Sequence, residues 1–202
     1  VFVVEPRFTR TAAHATEHVR IRSGTDIPVI YGLLHHIFKN GWEDKQYLND
    51  RVFGMDKVRE DVMKNWTPDK VQEACGVPEA EVYAAAEAMA KNRPSTIVWC
   101  MGQTQHSIGN AMVRASCILQ LALGNVGVSG GGTNIYRGHD NVQGATDVGP
   151  NPDSLPGYYG IVAGSWKHWC RVWGVDYEWM KGRFASQAMM EKPGMTLSRW
   201  ID

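Results

Sequence analysis

Residues 95–125 read STIVWCMGQTQHSIGNAMVRASCILQLALGN, and this stretch decides the fold. STIVWC is a short apolar run rich in β-branched residues, the pattern of a strand buried on both faces. MGQTQ turns the chain out of it. IGNAMVRASCILQLALGN then places Ile108, Met112, Ala115, Leu119 and Ala122 at helical spacing for burial. Strand, polar turn and amphipathic helix make the repeating unit of a parallel sheet covered by helices. Upstream, VFVVE at 1–5 is a second buried-strand run, and HVRIR at 18–22 alternates as a short strand would. SGTD breaks it, and IPVIYGLLHHIFKN reads as a helix stopped by Asn40-Gly41. EDKQYLNDRVFG fits another helix. WTPDKVQEACG offers Thr67 as N-cap, Pro68 at the first helical position and Gly76 as the stop. VPEAEVYAAAEAMAKN carries Val82, Ala85, Ala86 and Met89 on one face. The expected fold class is therefore α/β: a Rossmann-like parallel sheet with flanking helices, followed by part of a second α/β domain, with ligands beyond the carboxyl ends of the strands.

After Gly124 the composition changes. Glycine and turn residues dominate to Gly160, and a Trp-rich stretch, SWKHWCRVWGVDYEWM, follows. A boundary falls near 130–136, giving a first domain over 1–135 and the start of a second α/β domain over 136–202. Trp166, Trp169 and Trp173 stand at i, i+3 and i+7, one face of a helix, and core packing is the simpler use of such a face than a docking surface.

The 202 residues are 44% hydrophobic and 21% charged with zero formal net charge, so no basic field points to nucleic acid. No apolar run approaches the ~20 residues of a membrane span. The chain opens on VFVVEPRFTR, with neither an initiator Met nor a basic leader, which predicts a piece of a longer polypeptide. Cys75, Cys100, Cys117 and Cys170 include no C-x-x-C pair, so neither a zinc knuckle nor an iron–sulfur cluster can be read, and no metal ligand is assigned. Free thiols in a core of this size fit a reducing, cytoplasmic compartment.

Polar residues gather at the strand ends. Glu5 and Arg7 follow VFVV; an acid there can accept from both ribose hydroxyls, or simply cap a helix beside a surface Arg. Gly24-Thr25-Asp26 follow HVRIR. An ionised Asp26 can accept two adjacent donors from guanine, or Thr25 or Asp26 can serve as N-cap. Met101, Gly102 and Gln105 follow STIVWC. Gly102 allows a ligand close to the backbone, the next helix start suits phosphate, and Gln105 can donate and accept at a heterocycle. His106 reads as a helix-start polar residue rather than a metal ligand, since no second ligand stands at i+4. Finally, RGHDNVQGATD at 137–147 has few residues to bury and no helix or strand period, yet crowds Arg, His, Asn, Gln and two Asp together. Arg137 can present a bidentate fork to a carboxylate or pin the loop through a salt bridge.

VVEPRFTRTA, RIRSGTDIPVIYGLLHHIF, the 99–134 segment and RGHDNVQGATDVGPNPDSLPGYYG together resemble the large subunit of molybdenum- or tungsten-dependent formate dehydrogenase. That group lies within the molybdopterin oxidoreductase family, alongside dimethyl sulfoxide reductase and periplasmic nitrate reductases. The resemblance covers essentially residues 1–160 and is more diffuse beyond. It implies a bis-(molybdopterin guanine dinucleotide) cofactor with Mo or W. By the family's strand-end motifs, Glu5, Arg7 and Asp26 would contact a guanosine part of one cofactor, and Met101, Gly102 and Gln105 would contact the same cofactor. Glu5 stands where the family usually has Asp, and Cys100, where Gly is common, reads as structural. The resemblance implies Arg137 as the catalytic residue that orients formate, with His139, Asn141 and Gln143 completing its hydrogen-bonding shell, His139 as the second catalytic candidate and Gln143 as a cofactor contact. The family's metal ligand and its [4Fe–4S] cysteines lie upstream of the matched segment, so both would sit in a missing N-terminal part. The implied partners are formate and iron–sulfur electron-transfer subunits. Localisation would be cytoplasmic, or periplasmic with a twin-arginine signal upstream. Alternative readings are a nitrate reductase-like relative, or a cofactor-free scaffold as in the large iron–sulfur subunit of respiratory complex I.

Overall fold

A computed structural model describes residues 1–149 and 154–183. The other residues of the expected second domain, and 150–153 of the string after Arg137, lie outside the described residues. The chain divides into two units, Val1–Tyr136 and a second beginning at Arg137.

The first unit runs β1 (Phe2–Val4), α1 (Arg10–Ala13), β2 (Glu17–Val19), α2 (Asp26–Lys39), α3 (Lys45–Arg51), α4 (Met55–Asn65), α5 (Pro68–Cys75), α6 (Glu79–Lys91), β3 (Thr96–Trp99), α7 (Met101–Thr104), α8 (Gly109–Ala122) and β4 (Gly132–Ile135). Its core is built around α2, which packs against α4, α5, α6 and α8. This helix is apolar nearly all round, as a helix enclosed by others must be. Leu34 and Ile37 are fully buried, each worth about 1.5–3 kcal/mol of transfer free energy. Gly32 sets the close approach of α5 and α6, because a Cβ there would lie 2.8 Å from Val71 Cγ1 and 3.0 Å from Val82 Cγ1. The sequence reading assigns nothing to 55–65, yet Met55, Val58 and Val62 stand at i, i+3 and i+7 and turn α4 inward.

The strands pair in parallel, as expected, but not in one sheet. Among the described residues β1 pairs β2, with Phe2 opposite Glu17 and Val4 opposite Val19. β3 pairs β4, with Thr96 opposite Gly132 and Trp99 opposite Ile135. The two pairs are separate, and each has an open face: Val4 is 44% and Val98 47% exposed. A β-branched run records the capacity to be covered on both faces, and in this chain the helices cover one. A buried polar network holds the starts of β3 and β4. Gln120 Nε2 donates to the carbonyls of Ser95 (3.2 Å) and Gly132 (2.7 Å), and Asn125 Nδ2 donates to Gln120 Oε1 (2.7 Å) and Ser95 Oγ (2.9 Å). Buried amides satisfied in this way fix the register of the strands whose far ends carry the polar residues.

The second unit holds α9 (Val142–Val148), β5 (Ser154–Leu155), β6 (Tyr159–Gly160), α10 (Ala163–Trp173) and α11 (Tyr177–Lys181), with β5 and β6 antiparallel. Helix α9 occupies a stretch in which the sequence shows no period. On α10, Trp166 and Trp169 are half-buried, whereas Trp173 is 44% exposed and touches Trp169 at 5.4 Å between centroids, so the expected core face is only partly covered. All four cysteines are free; Cys75 and Cys170 are buried, and Cys100 and Cys117 half-buried.

Two histidines in the core make stability depend on pH. His35 and His36 are both buried on α2, their rings edge to face at 5.7 Å, and His36 packs on Tyr83 at 5.3 Å. Burial pushes both below the ordinary histidine value of about 6.5, against a smaller upward pull from Glu79. A depressed pKa means that the folded state binds fewer protons than the unfolded one. The stability it contributes is complete above about pH 6.5 and is lost as pH falls toward the folded values. The thermal midpoint is expected to drop between pH 7.5 and 5.5, and His36→Phe to flatten that drop. Scans at three pH values check this, and parallel curves for the two proteins would refute it.

Candidate functional site

Three turns at the carboxyl ends of β1, β2 and β3 approach one another. The first follows β1. Glu5 extends the ladder by donating its amide to Val19 O (3.1 Å), and its own carbonyl accepts from His18 Nε2 (2.9 Å). The Glu5 side chain accepts weakly from the Arg7 amide (3.4 Å), while the Arg7 residue is exposed.

The second turn runs from Arg22 to Asp26. Arg22 is held from both sides: its amide donates to Cys75 O (3.0 Å), and its guanidinium donates to Glu73 O and Ala74 O. Thr25 folds back on it, with Oγ1 donating to Arg22 O (2.6 Å). Thr25 occupies the N-cap position of α2 but makes no side-chain cap, and Asp26 is the first helical residue. The chain can take this path because Gly24 sits at φ +81°. Burial raises the Asp26 carboxyl above its ordinary value; its own backbone amide and the His106 ring pull it back, and Glu5 pushes it further up. The Glu5 and His106 effects place both groups within electrostatic reach of Asp26.

The third turn follows β3 and forms a single helical turn, α7, where the sequence reading has an irregular one. Thr104 Oγ1 donates to Cys100 O (3.2 Å), and buried Ser116 on α8 donates to Gln103 Oε1 (3.0 Å). His106 Nε2 lies 2.9 Å from Gly102 O. A Cβ at Gly102 would meet nothing within 4 Å, so the backbone there is open to a ligand. Met101 and Gln105 are exposed on either side of it. Ile108, expected in the core, is 51% exposed because α8 begins one residue later and leaves it at the N-cap.

His106 thus ties the Gly102 turn to the Gly24 turn that leads into Asp26, while Glu5 ends the strand paired with β2. His106 is the residue here that sequence reasoning placed in no ligand role. A cleft of about 320 Å³ bounded by α3 and α4 is lined by Leu48, Val52, Met55 and Arg59 and by none of these residues. Among the described residues no group of three or more His, Cys, Asp or Glu could hold a metal ion, and no helix is long and apolar enough to cross a membrane.

In the second unit, Arg137, His139 and Gln143 are exposed. Arg137 Nη1 donates to Thr146 Oγ1 (3.2 Å), and that hydroxyl in turn donates to Val142 O (2.6 Å). Thr146, which sequence reasoning missed, is thus a hydrogen-bond partner of Arg137. Asn141 adopts φ +51° as the residue before α9, and the Val142 amide donates to His139 O (3.3 Å), so these residues shape the turn. Among the described residues no carboxylate forms an ion pair with Arg137. Thr146 engages one of its five N–H donors.

The chain is 34% identical over 176 residues to the F420-dependent formate dehydrogenase subunit alpha of Methanocaldococcus jannaschii, covering 87% of this chain and 26% of that protein. It is 33% identical over 177 residues to formate dehydrogenase H of Escherichia coli, covering 87% and 25% respectively. It thus spans about a quarter of the length of the curated relatives it matches. Among solved structures, acetylene hydratase from Pelobacter acetylenicus superimposes with a TM-score of 0.59 at 28% identity, over 61% of this chain and 17% of that one. The molybdopterin oxidoreductase family model matches residues 1–194, and the chain belongs to that family.

Proposed function

We propose that this chain is a segment of the catalytic subunit of a formate dehydrogenase, and that it grips the guanosine part of a bis-(molybdopterin guanine dinucleotide) cofactor and presents Arg137 to formate. The observation that carries the reading is the open backbone at Gly102, tied through His106 to the Gly24 turn that leads into half-buried Asp26. A half-buried carboxylate whose charge is disfavoured by its surroundings fits a ligand that brings N–H donors. Guanine has such donors on one edge, and a ribose has hydroxyls for Glu5. Met101, Gln105 and Arg7 would flank the nucleotide.

Arg137 would receive formate. Its guanidinium is charged at every working pH, and its link to Thr146 restricts the side chain while leaving donors for a carboxylate fork. Bound in this way, formate is oriented with its charge compensated, which is the contribution a single positioned Arg can make to the barrier. The Mo or W centre, when bound, accepts the two electrons as formate is oxidised to carbon dioxide and a proton. Its ligand and a [4Fe–4S] cluster would be supplied by other parts of the polypeptide, and electron-transfer subunits would take the electrons onward. Residues 1–135 and 136–202 would be the cofactor-binding domain and the start of the substrate-arginine domain.

The test uses the full polypeptide produced in a host that makes the cofactor. Stoichiometric Mo or W, releasable guanine nucleotide and formate-dependent dye reduction are expected. Nitrate reduction without formate oxidation would turn the reading toward a nitrate reductase-like enzyme. Absence of metal and nucleotide would turn it toward a scaffold of the complex I kind.

A further inference from the structure

His106 joins two of the three turns, and its two ring nitrogens are in different situations. Nε2 lies 2.9 Å from Gly102 O. A carbonyl oxygen can only accept, so Nε2 carries the hydrogen and the neutral ring is left with Nδ1 as a lone-pair acceptor. That side of the ring faces the second turn: a Cβ at Gly24 would lie 3.9 Å from His106 Cε1 and 4.0 Å from Nδ1. Asp26 follows Gly24 by two residues on that turn. An acceptor nitrogen of fixed tautomer therefore faces the turn whose Asp26 carboxylate brings two further acceptors.

We propose that His106 is a specificity-determining residue for the guanine base, its Nδ1 accepting from the 2-amino group while Asp26 accepts from the adjacent N–H donors of the same edge. This rests on the nucleotide-binding reading above and deepens it. Guanine carries three N–H hydrogens along one edge, one on the ring and two on the amino group. A carboxylate takes two of them, and the third needs an acceptor at its side. Adenine and cytosine place an acceptor where guanine has its ring N–H, so an all-acceptor wall of Asp26 and His106 repels them. Hypoxanthine keeps the ring N–H and lacks the amino group, so it loses the His106 contact together with one of the two Asp26 contacts, and the change in the GMP-to-IMP ratio on altering His106 reports the former. Gly24 is part of the same device, since its φ of +81° sets the turn against which the ring rests.

The experiment uses the full polypeptide purified from a cofactor-deficient host, with GMP and IMP as probes in equilibrium binding. Wild type is expected to favour GMP over IMP several-fold or more, the range of hydrogen bonds from an amino group to good acceptors. His106→Phe keeps a planar ring without nitrogens and should reduce that preference severalfold, with the thermal midpoint of the ligand-free protein little changed. His106→Gln supplies one donor for Gly102 O and one acceptor, and should restore it. If wild type binds GMP but His106→Phe leaves the GMP-to-IMP ratio as it was, the inference is overturned. A lowered ligand-free midpoint with an intact ratio also overturns it, by making the ring a structural clip. If wild type binds neither nucleotide, the underlying reading of the site fails first.

Discussion

Replacing Arg137 with alanine is expected to cut formate-dependent dye reduction per bound metal by about 10²–10³ or more, the cost of deleting one preorganised donor group at a reacting centre. Arg137 donates to Thr146 Oγ1, and Thr146 is anchored to Val142 O, so the guanidinium is held by α9 rather than swinging on a free loop. Pre-positioning of this kind lowers the entropy lost when formate docks. Arg137→Lys separates charge from shape. The ammonium still attracts a carboxylate, but a point charge on a flexible stem cannot hold it bidentately, so turnover should fall with a modest change in KM. Arg137→Ala removes both, so KM should rise as well. Either variant should load metal and guanine nucleotide normally, because the proposed cofactor grip belongs to Glu5, Asp26 and the Gly102 turn. Metal-normalised steady-state kinetics check this. Near-normal turnover in Arg137→Ala would remove the substrate role from Arg137 and make His139 the next residue to test.

The strand-end residues were legible because the rule that finds them is local: a β-branched run, then a polar turn. Glu5, Asp26 and Gly102 each stand in the polar turn that follows a strand. Helix α5 was legible for the same reason, with Thr67 and Pro68 opening it and Gly76 closing it at φ +76°. What depends on distant partners was not. His106 looks like an ordinary helix-start residue until the fold sets its ring against the Gly24 turn. Thr146 is one polar residue in VQGATDV, a segment whose glycine and β-branched residues argue against a helix; Asn141 in the left-handed region and the Arg137 contact accompany the helix that forms. The single sheet expected from the βα pattern is two parallel pairs, since apolar strands specify that they will be covered and not which strand will do so.

Asp26→Ala is the change expected to weaken cofactor retention most, and the same variant separates a ligand from a helix cap. Two charge-assisted hydrogen bonds to guanine would be lost, each about 1.5–3 kcal/mol, so released guanine nucleotide should fall by about 10²-fold or more at limiting cofactor. The effect on the ligand-free fold should be small. Asp26 is the first residue of α2, Thr25 makes no side-chain cap, and a carboxylate at that end of the helix contributes about 0.3–1 kcal/mol with the macrodipole. Opposing that gain, burial raises the Asp26 pKa. A carboxyl with a raised pKa holds its proton more firmly folded than unfolded. Its contribution to stability is complete below the ordinary value of about 3.9 and is lost as pH rises through the folded value. At neutral pH the ionised side chain is therefore a cost to the empty protein, and Asp26→Asn, which keeps the shape without the charge, should leave its thermal midpoint unchanged or higher. The nucleotide should be lost all the same, because an amide presents only one acceptor where guanine needs two. Nucleotide release and thermal midpoint measured on one preparation decide the matter. A lowered midpoint with normal nucleotide content would make Asp26 a cap, whereas an unchanged or raised midpoint with an emptied site is the outcome expected of a carboxylate kept in a half-buried position for its ligand.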